Sequence, residues 1–251
     1  MPNRLRISSL FLPIVSIFIL SGCVTIYNPA TQQKEALFID TAGEVELGKD
    51  MDSNIQNKIK ILEEPRMQNR LEDIGARLAG CSDRRDLGYH FRIANDKELN
   101  AFAIPGGFIY VNSGLMDIAT DDELACILAH EIGHIAARHS VKKLQAVLGY
   151  QLVAGIILGA SGNQTISQAI DVVFNVASMG YSRKDELLAD RLAVKYAKKA
   201  GFSPYGMITF FEKLKQEAQK RGPNFNMVFL SSHPSIEERI KQTKNEIALN
   251  P

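Results

Sequence analysis

The chain has 251 residues, 45% of them hydrophobic and 23% charged, with a formal net charge of +1. That length and composition fit one globular domain with an ample core. The near-neutral balance leaves no electrostatic case for nucleic acid as a partner, and no internal repeat points to a solenoid.

The first residues read as a targeting segment. Arg4 and Arg6 form a basic start, Leu10–Leu20 an apolar core, and Leu20-Ser21-Gly22-Cys23 matches a lipobox, in which cleavage before Cys23 leaves an acylated cysteine. A transmembrane anchor is the competing reading, but the apolar run is short for a span and contains Pro13. Acyl chains on Cys23 would hold the chain to a membrane, at ~0.8 kcal/mol per buried CH₂. Val24, not Asp, follows the cysteine; by resemblance to the lipoprotein sorting rule of Gram-negative bacteria, this implies the outer membrane, with the chain on its periplasmic face. The expected organisation is therefore a signal peptide at 1–22, the lipidated Cys23 with a polar tether at 23–43, and a folded domain at 44–251.

Two amphipathic helices open that domain, one through Leu47, Met51, Ile55 and Ile59, the other, after Pro65, through Met67, Leu71, Ile74 and Leu78. Gly80–Gly88 reads as a loop with solvated charges. Tyr89–Ala94 alternates as a strand, with His90 exposed, and Leu99–Ile104 and Phe108–Asn112 form two more strands around Pro105-Gly106-Gly107.

The next helix carries the chemistry. Thr120 with Glu123 reads as a capping box, Asp121 and Asp122 suit the positive end of the helix dipole, and Leu124, Ile127, Leu128, Ile132 and Ile135 make a wide apolar stripe. On this helix His130-Glu131-Ile132-Gly133-His134 places two imidazoles one turn apart on one face, able to bind one Zn²⁺ together. Glu131 is then placed to act as general base on a metal-bound water. Gly133 costs a mid-helix position ~1 kcal/mol relative to Ala, so it usually has a packing reason, of which close approach of another backbone beside the metal is one.

A catalytic zinc needs a third protein ligand and an open position. His139 has the wrong spacing for the metzincin pattern, which also needs a glycine to break the helix where this chain has Ala137; His139 reads as structural or as a partner behind a ligand. Further on, Glu186 and Asp190 lie one turn apart on an amphipathic helix whose apolar positions include Leu187, Leu188, Leu192 and Tyr196. Glu186 can ligate the metal while Asp190 accepts the free ring N–H of a liganding histidine. A solvated charged turn is the alternative, since Arg183, Lys184 and Asp185 crowd the same stretch.

Between these helices, Leu144–Gly159 is apolar but short for a span and interrupted by Gln145 and Gln151, which suits a helix covering the cleft or touching a bilayer. Ser161–Thr165 is a break and Ile170–Met179 an apolar helix. Past Gly201, a helix runs through Met207, Ile208, Phe211 and Leu214, followed by a loop at Arg221–Asn224 and a last helix capped by Ser235 with Glu238. Apart from Cys23, two cysteines remain, Cys81 and Cys126. In an oxidising compartment they can pair, or Cys126 is simply a small buried hydrophobe.

HEIGH followed by YSRKDELLAD resembles the gluzincin zinc metallopeptidases of the HtpX, BepA and LoiP kind, relatives of the CAAX prenyl proteases. Asn100–Met116 and Ser232-His233-Pro234 through Arg239 resemble further stretches of that family, so the likeness runs over roughly 40–245. The resemblance implies an α+β fold, a mainly α-helical zincin domain with a small β-sheet beside the HExxH helix. It implies one Zn²⁺ per chain held by His130, His134 and Glu186, with Glu131 as base and Asp190 behind a ligand. It raises His233 to a catalytic candidate, bonding the oxyanion or occupying the open zinc position, with Arg239 bracing the site. It makes Phe102, Gly106 and Gly107 the wall of a cleft that holds substrate backbone as an added strand. The implied activity is zinc-dependent endopeptidase cleavage of misfolded or misassembled cell-envelope proteins, with protein substrates and outer-membrane assembly machinery as partners. The alternatives are an assembly factor or chaperone with a latent protease site, and a lipoprotein with a merely structural zinc. Some members carry a C-terminal helical-repeat domain, which is not expected here.

Overall fold

A computed structural model describes residues 24–158, 180–221, 233 and 236–249. The expected signal peptide, Cys23, the break at 161–165, the apolar helix at 170–179, the loop at 222–224 and the Ser235 cap lie outside the described residues.

The stretch expected as a polar tether holds a hairpin. β1 (Val24–Asn28) pairs antiparallel with β2 (Gln33–Leu37), Val24 opposite Leu37. Turn chemistry rather than apolar periodicity makes it. The Asn28 side-chain oxygen accepts from Ala30 N at 3.0 Å, its amide donates to Glu35 at 3.1 Å, and Gln32 takes a left-handed φ of 56°. Leu37 is buried, and the two following amides, Phe38 N and Ile39 N, donate to Gln145 Oε1 at 2.9 and 3.1 Å.

Helix α1 (Thr41–Lys58) starts where Asp40 accepts from Gly43 N at 2.8 Å, and α2 (Pro65–Ala79) starts on a proline, with Glu64 capping its first amides. Three strands follow: β3 (His90–Ala94), β4 (Ala101–Ile104) and β5 (Phe108–Asn112). The sheet order is β3-β5-β4, with β3 parallel and β4 antiparallel to β5. β5 is buried throughout, whereas β3 and β4 are edges. His90 is exposed as expected, stacked on Phe108.

The remaining described helices are α3 (Ser113–Ile118), α4 (Asp121–Ala136), α5 (His139–Leu158), α6 (Arg183–Lys199), α7 (Gly206–Arg221) and α8 (Ile236–Leu249). α4 lies at the centre, against β4, α2, α6 and α7. Leu124, Ile127, Leu128, Ile132 and Ile135 are all buried, each contributing about 1.5–3 kcal/mol of apolar burial. The fold class is thus α+β, mainly helical, with a small sheet beside α4. No helix among the described residues is long and apolar enough to cross a membrane.

Beyond the hairpin, four sequence expectations change. Gly106 and Gly107 have φ of 79° and 96°, and a Cβ on them would come within 3.0 Å of the Glu44 carbonyl and 2.3 Å of the Gly88 carbonyl. They admit α1 and the residue-88 loop to the turn between β4 and β5, an internal close approach that the sequence did not disclose. Cys81 and Cys126 are both free, and the Cys126 thiol faces the carbonyls of Ser203 and Pro204 at 3.5 and 3.7 Å. The loop at 80–88 does not simply display its charges to solvent. Arg84 is buried and bonds Glu44 and Asp86, while Asp83 bonds Lys195 and Tyr196. Lastly, the helix does break after Ala137 without a glycine: Arg138 adopts φ 56° between α4 and α5. Its guanidinium, donating to Thr41 Oγ1 at 2.7 Å and 3.2 Å from Glu44, holds that turn.

Candidate metal centre

The capping box read from the sequence fixes the start of α4: Thr120 Oγ1 accepts from Glu123 N at 3.3 Å, and Glu123 accepts from Thr120 N at 2.8 Å. Ten residues on, His130 and His134 present Nε2 atoms 3.0 Å apart. α6 begins with its own capping box, Ser182 with Asp185, and so brings Glu186 in its first turn to the two histidines. Glu186 Oε2 is 3.5 Å from His130 Nε2, and Oε1 is 3.4 Å from His134 Nε2. α6 can come this close because α4 carries Gly133, where a Cβ would sit 3.1 Å from the Ala189 carbonyl. Close approach of a second backbone, inferred from that glycine, is what the packing contains.

Asp190, one turn after Glu186, has Oδ1 2.9 Å from His130 Nδ1. Arg239 on α8 clamps it, Nε and Nη2 donating to Asp190 at 2.8 and 2.6 Å, and lies 3.3 Å from Glu186 Oε2. His233 completes the group: its Nδ1 is 3.0 Å from each Glu186 oxygen and 3.3 Å from His130 Nε2. His130, His134, Glu186 and His233 each offer one donor atom within 4.8 Å of the others, and all four are buried. Glu131 is also buried; its Oε1, 3.7 Å from His233 Nε2, accepts no hydrogen bond among the described residues.

This donor set fits zinc. Imidazole nitrogens and a carboxylate suit a borderline cation of four-coordinate habit. The charge balance asks for one as well. The carboxylates of Glu131, Glu186 and Asp190 face the single guanidinium of Arg239, leaving a surplus of two negative charges in a site taken out of water. In the same field two groups, His130 and Glu131, hold protons more tightly than usual. Burial and Arg239 push His130 down, but Asp190 and Glu186 outweigh them and lift it to about 9. Burial pushes the Glu131 carboxyl up and His134 down to about 3. Glu186 is held far below the usual carboxylate range because its bonds to His130, His134 and His233 outweigh burial; Asp190, beside Arg239 and His130, falls to about 2.

Of the sequence candidates, the structure brings together His130, Glu131, His134, Glu186, Asp190, His233 and Arg239. Phe102 lies apart on β4, half-buried and stacked on Tyr110 at 5.0 Å. Sequence reasoning passed over Tyr181, whose ring stacks on His134 with centroids 4.0 Å apart. Its one signal was an aromatic heading the segment that delivers Glu186.

A helix bearing HExxH, a carboxylate delivered by a second helix, and a small sheet against the first define the gluzincin class of zinc metallopeptidase. The sequence agrees: residues 65–247 match the model of Peptidase family M48, and the chain belongs to that family. It is 32% identical over 183 residues to Metalloprotease LoiP of Escherichia coli (strain K12), covering 71% of this chain and 70% of that protein. It is 32% identical over 164 residues to Metalloprotease YcaL of the same strain, covering 63% of this chain and 62% of that one. To the Beta-barrel assembly-enhancing protease of that strain it is 27% identical over 214 residues, 80% of this chain but only 43% of the relative. The chain is a zinc metallopeptidase.

Proposed function

We propose that this peptidase cleaves misfolded or misassembled cell-envelope proteins, with His130, His134 and Glu186 holding zinc and Glu131 moving the proton. The observation that carries the roles is Glu131: a buried carboxylate with an unsatisfied oxygen, one residue from the donor cluster. When bound, zinc supplies Lewis acidity toward a water and a peptide carbonyl. Glu131 takes a proton from the attacking water and returns it to the departing amine nitrogen, a role suited to a carboxyl that burial has made more basic. Asp190, pinned by Arg239, accepts the His130 Nδ1–H and keeps that ring's other nitrogen turned to the cluster.

Substrate backbone is taken as a strand on the free edge of β4, alongside α4, with Phe102 beneath it. Main-chain pairing of this kind tolerates many sequences, as an enzyme of quality control requires. The name of the assembly-enhancing relatives supports envelope proteins, including outer-membrane assembly machinery, as the substrate and partner class. The lipobox supports acylation at Cys23 and placement on the periplasmic face of an outer membrane.

Wild type and Glu131→Gln are compared for bound zinc by mass spectrometry and for cleavage of an unfolded protein. The expected outcome is about one zinc per chain in both, with turnover lowered about 10²–10⁴-fold in the variant. Zinc in both but cleavage in neither would move the chaperone reading ahead.

One observation favours latency within this function. His233 Nδ1 sits inside the donor set, where it would fill the position a substrate needs. His233→Ala is then expected to raise casein hydrolysis; unchanged or lower activity removes His233 as the restraint.

A further inference from the structure

The two zinc histidines differ in what stands behind them. His130 Nδ1 meets a buried carboxylate, Asp190. His134 Nδ1 meets another imidazole: His139 Nδ1, at 2.9 Å and buried. The chain turn makes this contact possible. Arg138, which follows Ala137 in the two-residue link between α4 and α5 and takes a left-handed conformation, folds His139 back onto the preceding helical turn.

Two nitrogens 2.9 Å apart share one hydrogen. If it belongs to His134, that ring carries Nδ1–H, and its Nε2 offers a lone pair toward His130 and Glu186, the form a ligand needs. If it belongs to His139, neutral His134 must carry its hydrogen on Nε2, and the lone pair turns away from the cluster. The choice rests on the far side of His139, where Nε2 lies 3.4 Å from Asp185 Oδ1. A carboxylate only accepts, so it favours hydrogen on His139 Nε2 and leaves Nδ1 bare.

Asp185 is itself fixed. Its Oδ2 accepts from Ser182 Oγ at 2.6 Å and from Ser182 N at 3.3 Å in the capping box of α6, which leaves Oδ1 for His139. The residue after it is Glu186. We infer that His139 and Asp185 are positioning residues that set the ligating tautomer of His134, coupling it to the cap that places Glu186. This rests on the zinc ligands proposed above. Neither residue touches the metal or the substrate in this assignment: His139 acts through His134, and Asp185 through His139.

The chain has five histidines, so ¹⁵N-histidine labelling of the full zinc-loaded protein allows the tautomer of each ring to be read from long-range proton–nitrogen correlations. His139 is expected as the Nε2–H form and His134 as Nδ1–H. A hydrogen on His139 Nδ1 overturns the inference. Zinc affinity, measured by chelator competition, gives the second readout. His139→Leu, which keeps bulk but cannot accept, is expected to weaken zinc about 10–100-fold, and His139→Gln to recover much of that loss. Leu and Gln variants that both bind zinc as wild type does would overturn the assignment while leaving the ligands standing. Wild type that binds no zinc overturns the ligand assignment and this inference with it.

Discussion

Two ionic clusters with buried members lie in this domain, and they are built on opposite rules. One joins Glu44 of α1, Arg84, Asp86 and Arg138; two carboxylates meet two guanidiniums, with Arg84 3.1 Å from Glu44 and 3.0 Å from Asp86. The other joins Glu131, Glu186, Asp190 and Arg239 around three imidazoles and leaves a negative surplus. The balanced cluster carries no surplus charge and ties α1, the loop at 80–88 and the α4–α5 turn together. The unbalanced one has both the surplus charge and the convergent lone pairs to take a cation. Burial does not separate them, since Glu44 and Glu186 are each 1% exposed. Charge bookkeeping and convergent lone pairs do.

Mutation sharpens that contrast. Glu186→Ala removes the single anionic ligand and is expected to weaken zinc by more than about a hundredfold, beyond the range seen for outer partners, with cleavage lost in step. Chelator competition measures it, and near-wild-type affinity would return the third-ligand role to another group. Glu44→Ala strikes the balanced cluster, leaving two buried guanidiniums short of their shared carboxylate. Its expected cost is about 3–5 kcal/mol in denaturant unfolding, while the folded fraction still binds one zinc. If stability holds, that cluster is not the tie described above.

A smaller effect is expected at Asp52, which receives Arg92 Nε and Nη2 at 2.6 and 2.7 Å and the Tyr110 hydroxyl at 2.5 Å. Burial opposes ionisation there, but the Arg92 and Tyr110 bonds outweigh it and lower the carboxyl below the ordinary aspartate value. A depressed folded value means the contribution is fully present above the unfolded value of about 3.9 and is lost as pH falls through the folded one. Asp52→Asn should therefore lose about 1.5–3 kcal/mol at neutral pH and show a shallower fall in stability below about pH 4. Parallel acid limbs in urea melts of the two proteins would exclude this linkage.

What could be read from the chain alone follows the range of the interaction. The capping box of α4, the start of α2 at Pro65, the apolar stripe through Leu124 to Ile135, and the one-turn spacing of His130 with His134 and of Glu186 with Asp190 are set within a few residues, and all appear as expected. Gly133 was legible because a glycine in a helix centre requires a reason, and Ala189 is that reason. Features decided by distant partners were not. Gly106 and Gly107 announced a close approach without saying of what, and only the meeting with α1 and Gly88 decides it. Arg84 looked like a surface charge because Glu44, 40 residues earlier, is what buries it. The hairpin at 24–37 lacks an apolar rhythm, since Asn28 and Glu35 hold its turn through side chains. Cys81 and Cys126 matched as a pair by count, but the Cys126 thiol turns toward Ser203.

That hairpin changes how the enzyme can be held. Its first paired residue is Val24, and it is fastened to α5 by the Lys142–Glu35 pair at 2.6 Å and by Gln145 gripping two successive amides. α5 begins at His139, beside the zinc helix. A pull on the hairpin would therefore reach the neighbour of the zinc helix through a handful of side-chain bonds, a short mechanical path from the start of the domain to its metal centre.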